Sequence, residues 1–171
     1  MEIVIIDSNY TDYLYKTDPR VSKNINMIYQ RPYIGVLFRV QDNEYFAPLT
    51  THSKGKRLFE NPKPENVTFL PIEKCQYGGI NFNNMIPVVK GVYWQFNIAY
   101  HPTDAPNERA KKDVYNRIVR FLRKHEADII TKAKNLYDLK CKGKLYDNYD
   151  KITCDFLKLE TWRNCIRGRN E

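Results

Sequence analysis

Arg31-Pro32-Tyr33-Ile34-Gly35-Val36-Leu37-Phe38-Arg39-Val40-Gln41-Asp42-Asn43-Glu44-Tyr45-Phe46-Ala47-Pro48-Leu49-Thr50-Thr51 is the stretch whose reading decides the fold. Pro32 has a fixed φ and no donor, so it marks the start of an extended run of β-branched and aromatic residues. Asp42-Asn43 supplies turn chemistry, and Tyr45-Phe46-Ala47-Pro48-Leu49 returns antiparallel; together they predict a β-hairpin. Upstream, Glu2-Ile3-Val4-Ile5-Ile6 predicts a buried strand. Asp7 or Ser8 is placed to cap a short helix carrying Tyr10, Tyr13 and Leu14 at helical spacing. The polar residues from Asp18-Pro19 to Asn26 read as a loop.

Downstream, residues 50–64 are rich in Lys, Asn and Pro and predict a loop. Val67-Thr68-Phe69-Leu70-Pro71-Ile72 predicts another strand. Gly78-Gly79 turns the chain into Ile80-Asn81-Phe82, followed by Met85-Ile86-Pro87-Val88-Val89, where Pro87 calls for an edge or a bulge. Beyond Pro106 the period changes. Val114, Ile118, Phe121 and Leu122 fall on one face of a helix from about 107 to 124, with Arg109, Lys112, Asn116, Arg120 and Arg123 opposite. A second helix carries Ile129, Ile130, Ala133, Leu136 and Tyr137 and ends at Lys142-Gly143-Lys144. Asp155 is placed to cap a last helix with Phe156, Leu157, Leu159 and Trp162. No internal repeat or linker interrupts residues 1–171, which read as one α+β domain.

Composition narrows the partners. Lys and Arg number 28 against 20 acidic residues, a formal charge of +8. Such an excess favours polyanions, because each phosphate neutralised releases condensed counterions. The 13 tyrosines and 8 phenylalanines interleaved with these cations suit single-stranded RNA, whose bases stack on rings while its phosphates meet Lys and Arg. The nearly acid-free stripe Lys112, Asn116, Arg120 and Arg123 is the candidate RNA groove; its plainer reading is the solvated face of an amphipathic helix. Cys75, Cys141, Cys154 and Cys165 are scattered, with no histidines at metal-ligand spacing, so no metal site is expected. No apolar run approaches the ~20 residues that span a membrane and no signal peptide is visible, so a reducing cytoplasm is expected.

Walker, H-E-x-x-H and G-x-S-x-G motifs are absent. What remains is Pro48-Leu49-Thr50-Thr51-His52-Ser53-Lys54, dense in hydroxyls and cations directly after a strand. Taken alone it reads as a polar loop. An imidazole ordinarily titrates near pH ~6.5, which makes His52 a secondary candidate as acid, base or RNA contact.

Three blocks resemble the ToxN/AbiQ family of type III toxin–antitoxin endoribonucleases: Arg31-Pro32-Tyr33-Ile34-Gly35-Val36, then Tyr45-Phe46-Ala47-Pro48-Leu49-Thr50-Thr51 with Lys54, then Ile80-Asn81-Phe82-Asn83-Asn84-Met85-Ile86-Pro87-Val88. Three blocks in order at matching spacing are specific where any one is weak. The resemblance implies a strongly bent antiparallel sheet, SH3-barrel-like in the manner of the MazF/Kid toxins, flanked by helices. It implies cleavage of RNA without a metal or other cofactor, leaving 2′,3′-cyclic phosphate and 5′-hydroxyl ends. The implied partner is a repeated, pseudoknotted antitoxin RNA that the toxin processes and binds in a toxin–RNA hetero-oligomer, with a possible role in phage abortive infection.

Carried over position by position, Tyr10 and Tyr29 match the family's active-site tyrosines, Thr50 and Thr51 its paired hydroxyls, and Lys54 the lysine of the same loop. Arg31 stands near where some members place a lysine, and some carry Ser where this chain has Thr51. Thr50 and Thr51 are then expected on the phosphate or 2′-hydroxyl, and Arg31 or Lys54 on the developing phosphorane charge. Two other classes compete: a non-catalytic RNA-binding module on the same fold, which binds without cutting, and a protein-interaction domain with incidental charge.

Overall fold

All eight residues of the strand Asn43–Thr50 are buried, and the rest of the sheet is arranged around it. The computed structural model describes residues 1–24, 31–50, 68–74 and 76–167, with only the backbone of Val36 and of residues 162–167. The chain order is β1 (Glu2–Ile6), α1 (Ser8–Thr17), β2 (Pro32–Val40), β3 (Asn43–Thr50), β4 (Phe69–Pro71), β5 (Gly79–Asn81), a 3₁₀ turn at Phe82–Asn84, β6 (Ile86–Val88) and β7 (Tyr93–Gln95). Four helices follow: α2 (Pro106–Lys124), α3 (Glu126–Cys141), α4 (Asp147–Asp150) and α5 (Phe156–Arg167). Tyr29, Thr51, His52, Lys54, Cys75 and the predicted loop beyond Thr50 as far as residue 64 lie outside the described residues.

The sheet is antiparallel throughout, in the order β4-β5-β3-β2-β1-β7, with β6 also on β3. β2 takes one edge of β3, while the other is divided between β6 at Glu44–Phe46 and β5 at Leu49–Thr50. Among the described residues β4 and β7 end the sheet without pairing to each other, so it is open. The predicted hairpin is β2–β3, but its turn lies one residue earlier than the sequence implies. Val40 pairs with Asn43, leaving Gln41-Asp42 as a two-residue loop with Gln41 at φ 52°. That left-handed conformation costs a non-glycine residue strain, tolerated because Asn43 is needed in the strand. Pro87 stands on β6, which pairs only with β3, as an edge proline should.

Short elements escaped the sequence reading. β7 is three residues following Lys90-Gly91, and it is recognisable only through its pairing with β1. The expected caps hold. Asp7 accepts from the backbone of Asn9 at 2.8 Å and Tyr10 at 3.2 Å, and Asp155 accepts from Lys158 at 3.0 Å. Gly143, at φ 63°, closes α3.

One hydrophobic cluster joins sheet and helices: Ile6, Tyr33, Tyr45, Phe46, Phe82 and Met85 meet Leu122, Ile129, Leu136 and Phe156. At its centre Tyr45 stacks on Phe38 at 4.9 Å and meets Tyr137 edge-on at 5.2 Å. Both phenols donate to Oε1 of Glu160 on α5. Burial, with Glu160 alongside, pushes the phenol of Tyr45 far above its ordinary value and that of Tyr137 upward as well. Burial also pushes the Cys154 thiol up to about 12, which keeps it an unreactive core group. No described helix is long and apolar enough to cross a membrane.

Asp18, 2% exposed, ties the end of α1 to the start of α5. It accepts from the Arg20 guanidinium at 2.8 Å, the Arg20 backbone at 3.0 Å and the Asp155 backbone at 2.7 Å. Burial pushes its carboxyl up, but these bonds outweigh that and hold it below its ordinary 3.8. A carboxyl depressed on folding adds stability that is complete above its unfolded value and is lost as pH falls through the folded one. Asp18→Asn is therefore expected to cost about 1–3 kcal/mol at pH 7. Urea unfolding of both proteins at pH 7 and pH 3 checks this: the gap should narrow in acid.

Candidate active site

Thr50 closes β3 at the point where three elements converge. On one edge it pairs with Gly79 of β5. On the other, the register Tyr33↔Pro48 and Ile34↔Ala47, continued outward, brings Arg31 level with it. Gly79 lets β4 pack closely on β5: a Cβ there would lie 2.2 Å from the Phe69 ring and 2.6 Å from the Leu70 carbonyl. Arg31 is held by its backbone N–H, which donates to Asn24 Oδ1 at 2.9 Å. The Asn24 amide in turn donates to Ser8 Oγ at 3.2 Å and Ile6 O at 3.4 Å. One asparagine thus fixes the start of β2 against the start of α1.

Thr50 is 6% exposed, yet its hydroxyl has no hydrogen-bond partner among the described residues, and neither does the buried Nε of Arg31. Buried polar atoms are nearly always paired, because an unmet donor or acceptor costs ~1–3 kcal/mol. Two such atoms stand out here, on residues that the hairpin register places at adjoining strand ends. A cleft of about 550 Å³ opens beside Thr50. Its floor is Pro32, Leu49 and Thr50; its walls are Gln76 and Tyr77 from the β4–β5 turn, with Lys111, Val114, Tyr115 and Ile118 from α2. Burial raises the Tyr115 phenol, so it stays neutral. The described residues include no group of three His, Cys, Asp or Glu able to hold a metal ion.

The remaining candidates are distributed differently. Tyr10 is buried, and its hydroxyl donates to the Pro87 carbonyl at 2.7 Å, tying α1 to β6. Pro87 faces Tyr45, five residues along β3 from Thr50. Lys112 pairs with both carboxylate oxygens of Asp104 at 2.7 and 2.8 Å. Asn116 donates to the Ile98 and Lys112 carbonyls, both at 3.0 Å, so these two residues clip α2 to the segment before it. Arg120 and Arg123 are exposed. The cleft is lined instead by Lys111, Val114, Tyr115 and Ile118, spaced i, i+3, i+4, i+7. The expectation that Val114 lies on the buried face is corrected: it is 38% exposed at the cleft. The signal missed in the sequence was this helical spacing of Lys111 and Tyr115 with apolar residues; nothing marked Gln76 or Tyr77.

The isosteric Thr50→Val removes an unpaired hydroxyl from a buried position. Its expected effect is stabilisation of about 1 kcal/mol, measured by urea unfolding. A loss of more than that amount would mean the hydroxyl is bonded in the free protein.

Residues 2–163 match the family model described as toxin ToxN, type III toxin–antitoxin system. The endoribonuclease ToxN of Pectobacterium atrosepticum is 30% identical over 94% of this chain and 90% of its own. A type III toxin solved in work on its selective inhibition by a non-coding RNA pseudoknot is 26% identical, with a TM-score of 0.70 over 99% of this chain and 98% of its own. The lactococcal anti-phage endoribonuclease AbiQ, at 19% identity, shares the fold with a TM-score of 0.81 over 98% of each chain. By its sequence over nearly its whole length, this chain belongs to the ToxN family of type III toxin–antitoxin systems.

Proposed function

We propose that the chain is an endoribonuclease that cuts single-stranded RNA at the end of β3 and is restrained by a structured, pseudoknot-forming antitoxin RNA. The observation that carries this reading is the buried, unpartnered hydroxyl of Thr50, a residue that lines a cleft with Lys111 and two tyrosines, while Arg31 with its unpartnered Nε stands at the adjoining strand end. Family membership, the ToxN relative's ribonuclease activity and the pseudoknot inhibition of the 26%-identical toxin support it.

In the reaction the 2′-oxygen loses its proton and bonds to phosphorus. The bond to the 5′-oxygen breaks, and that oxygen takes a proton, leaving 2′,3′-cyclic phosphate and 5′-hydroxyl ends. Such a step needs in-line alignment and stabilisation of the added negative charge. Thr50 and Thr51 donate to the phosphate or hold the 2′-hydroxyl; Arg31 and Lys54 oppose the phosphorane charge. Tyr29 orients the ribose or donates a proton, since a phenol with pKa ~10 is a weak base at neutral pH. Tyr10, whose own proton is on the Pro87 carbonyl, orients the ribose through its phenol oxygen as acceptor. His52 serves as an RNA contact, and the exposed Arg120 and Arg123 of α2 track the phosphates of the longer RNA, while Lys112 and Asn116 hold α2 to the segment before it.

Two structural readings accompany this one. One hydrophobic cluster reaches from β1 to α5 and supports treating residues 1–171 as a single domain. Tyr93 of β7 meets Phe46 of β3 edge-on at 4.8 Å and donates to Glu44 at 3.4 Å. This folding-back of the sheet supports kinship with the SH3-like barrels of the MazF/Kid toxins in an unclosed form.

The test is digestion of a cellular RNA pool by the purified, RNA-free chain in excess EDTA, with product ends mapped. Cyclic phosphate and 5′-hydroxyl ends are expected. Thr50→Val and Thr51→Ala should each lower the rate about 10²–10³-fold, while Thr50→Val remains fully folded. Intact RNA, or cutting only after Mg²⁺ is added, would overturn the reading in favour of a binding module or another nuclease chemistry.

A further inference from the structure

The cleft beside Thr50 is built for more than a phosphate. Its walls bring together two tyrosine rings, an amide and a lysine: Tyr77 and Gln76 from the β4–β5 turn, and Tyr115 and Lys111 from α2. Phosphate recognition needs donors and positive charge, and aromatic rings add nothing to it. Rings beside cations are what an unstacked base requires: a face to stack on, with charge for the backbone that follows. At about 550 Å³ the cleft falls within the ~300–1,000 Å³ range of small-ligand sites. Tyr115 packs edge-on against Phe96 at 4.7 Å, and the Arg117 guanidinium lies 5.9 Å from the Tyr77 ring centre. Thr50, nine-tenths buried and with an unpartnered hydroxyl, lines the same cleft.

We propose that this cleft is a nucleobase subsite that takes one unpaired base of the RNA next to the scissile phosphate, stacked on Tyr77 and Tyr115, with Lys111 on the adjoining phosphate. The proposal rests on the ribonuclease reading for its substrate class and adds how that substrate is gripped. A base can enter only after leaving its own stack, so the cleft selects single-stranded segments. Paired RNA is refused at this position whatever its sequence. The base thereby fixes the ribose, and the 2′-oxygen, relative to the Thr50 hydroxyl.

The test uses a single-stranded oligoribonucleotide with a 2′-deoxy sugar at the cleavage nucleotide, which binds without being cut. Each position in turn is replaced by the fluorescent base 2-aminopurine. One position beside the scissile bond is expected to be quenched on binding, and the quench should vanish in Tyr77→Leu and Tyr115→Leu but survive in Tyr115→Phe, which keeps the ring. In the cleavable RNA, an abasic residue at that position should lower kcat/KM about 10- to 100-fold in the wild type, with no further loss in the leucine variants. A quench that persists in both leucine variants, or an abasic loss that adds fully to theirs, overturns the subsite. RNA cut without any position-specific quench overturns the subsite and leaves the ribonuclease. RNA bound with the quench but never cut overturns the ribonuclease and leaves the subsite.

Discussion

The structure depends on the way β3 is shared. A strand buried along its whole length must satisfy backbone groups on both edges, and β3 does so with three partners. The edge opposite β2 passes from β6 to β5 across Ala47-Pro48, and a proline, having no donor, fits at such a break in a ladder. Two strands dividing one edge carry their half-sheets in different directions. The Thr50 end thus meets β5 and α2, while the Glu44 end meets β6 and the ring of Tyr93.

Polar satisfaction elsewhere makes the site conspicuous. Asp18 accepts three bonds, Glu160 takes two phenols, and Asn84 receives Asn81 while donating to Arg20 O. Against this background only three buried side-chain atoms among the described residues lack a partner: Thr17 Oγ1, Arg31 Nε and Thr50 Oγ1. Two of them belong to Arg31 and Thr50, residues that the hairpin register, continued outward, brings level. Unmet buried polar atoms cost stability locally, a cost that proteins commonly carry at functional sites. Thr17, at the end of α1, is remote from this argument, and nothing in the structure explains its unpaired hydroxyl.

Much of this was legible in the residues. Strands of β-branched runs, helices with a clear 3.6-residue period and the capping carboxylates Asp7 and Asp155 are local phenomena, governed by φ, periodicity and short-range hydrogen bonds. β7 was not legible, because three residues carry too little pattern and acquire their conformation from pairing with β1. The hairpin turn moved by one residue because pairing of Val40 with Asn43 outweighed the turn preference of Asn43. For the site, the hydroxyl-rich segment after β3 drew notice through its composition and its family pattern. The cationic stripe on α2 was described by helical spacing alone, and spacing does not reveal that Asp104 and the Ile98 carbonyl occupy Lys112 and Asn116.

The amino-acid sequence by itself determined the α+β class, the β2–β3 hairpin, the helical C-terminal half, the positive charge and membership of a toxin family, because these rest on local chemistry and on blocks of residues read in order. Tertiary structure alone decided that Tyr10 spends its hydroxyl on Pro87, that Arg31 and Thr50 share a strand end with unmet polar atoms, and that Tyr77 faces Tyr115 and Lys111 across a cleft. These are contacts between residues tens of positions apart. They depend on strand register and on the packing of α2 against the sheet, and no short-range preference in the chain encodes either.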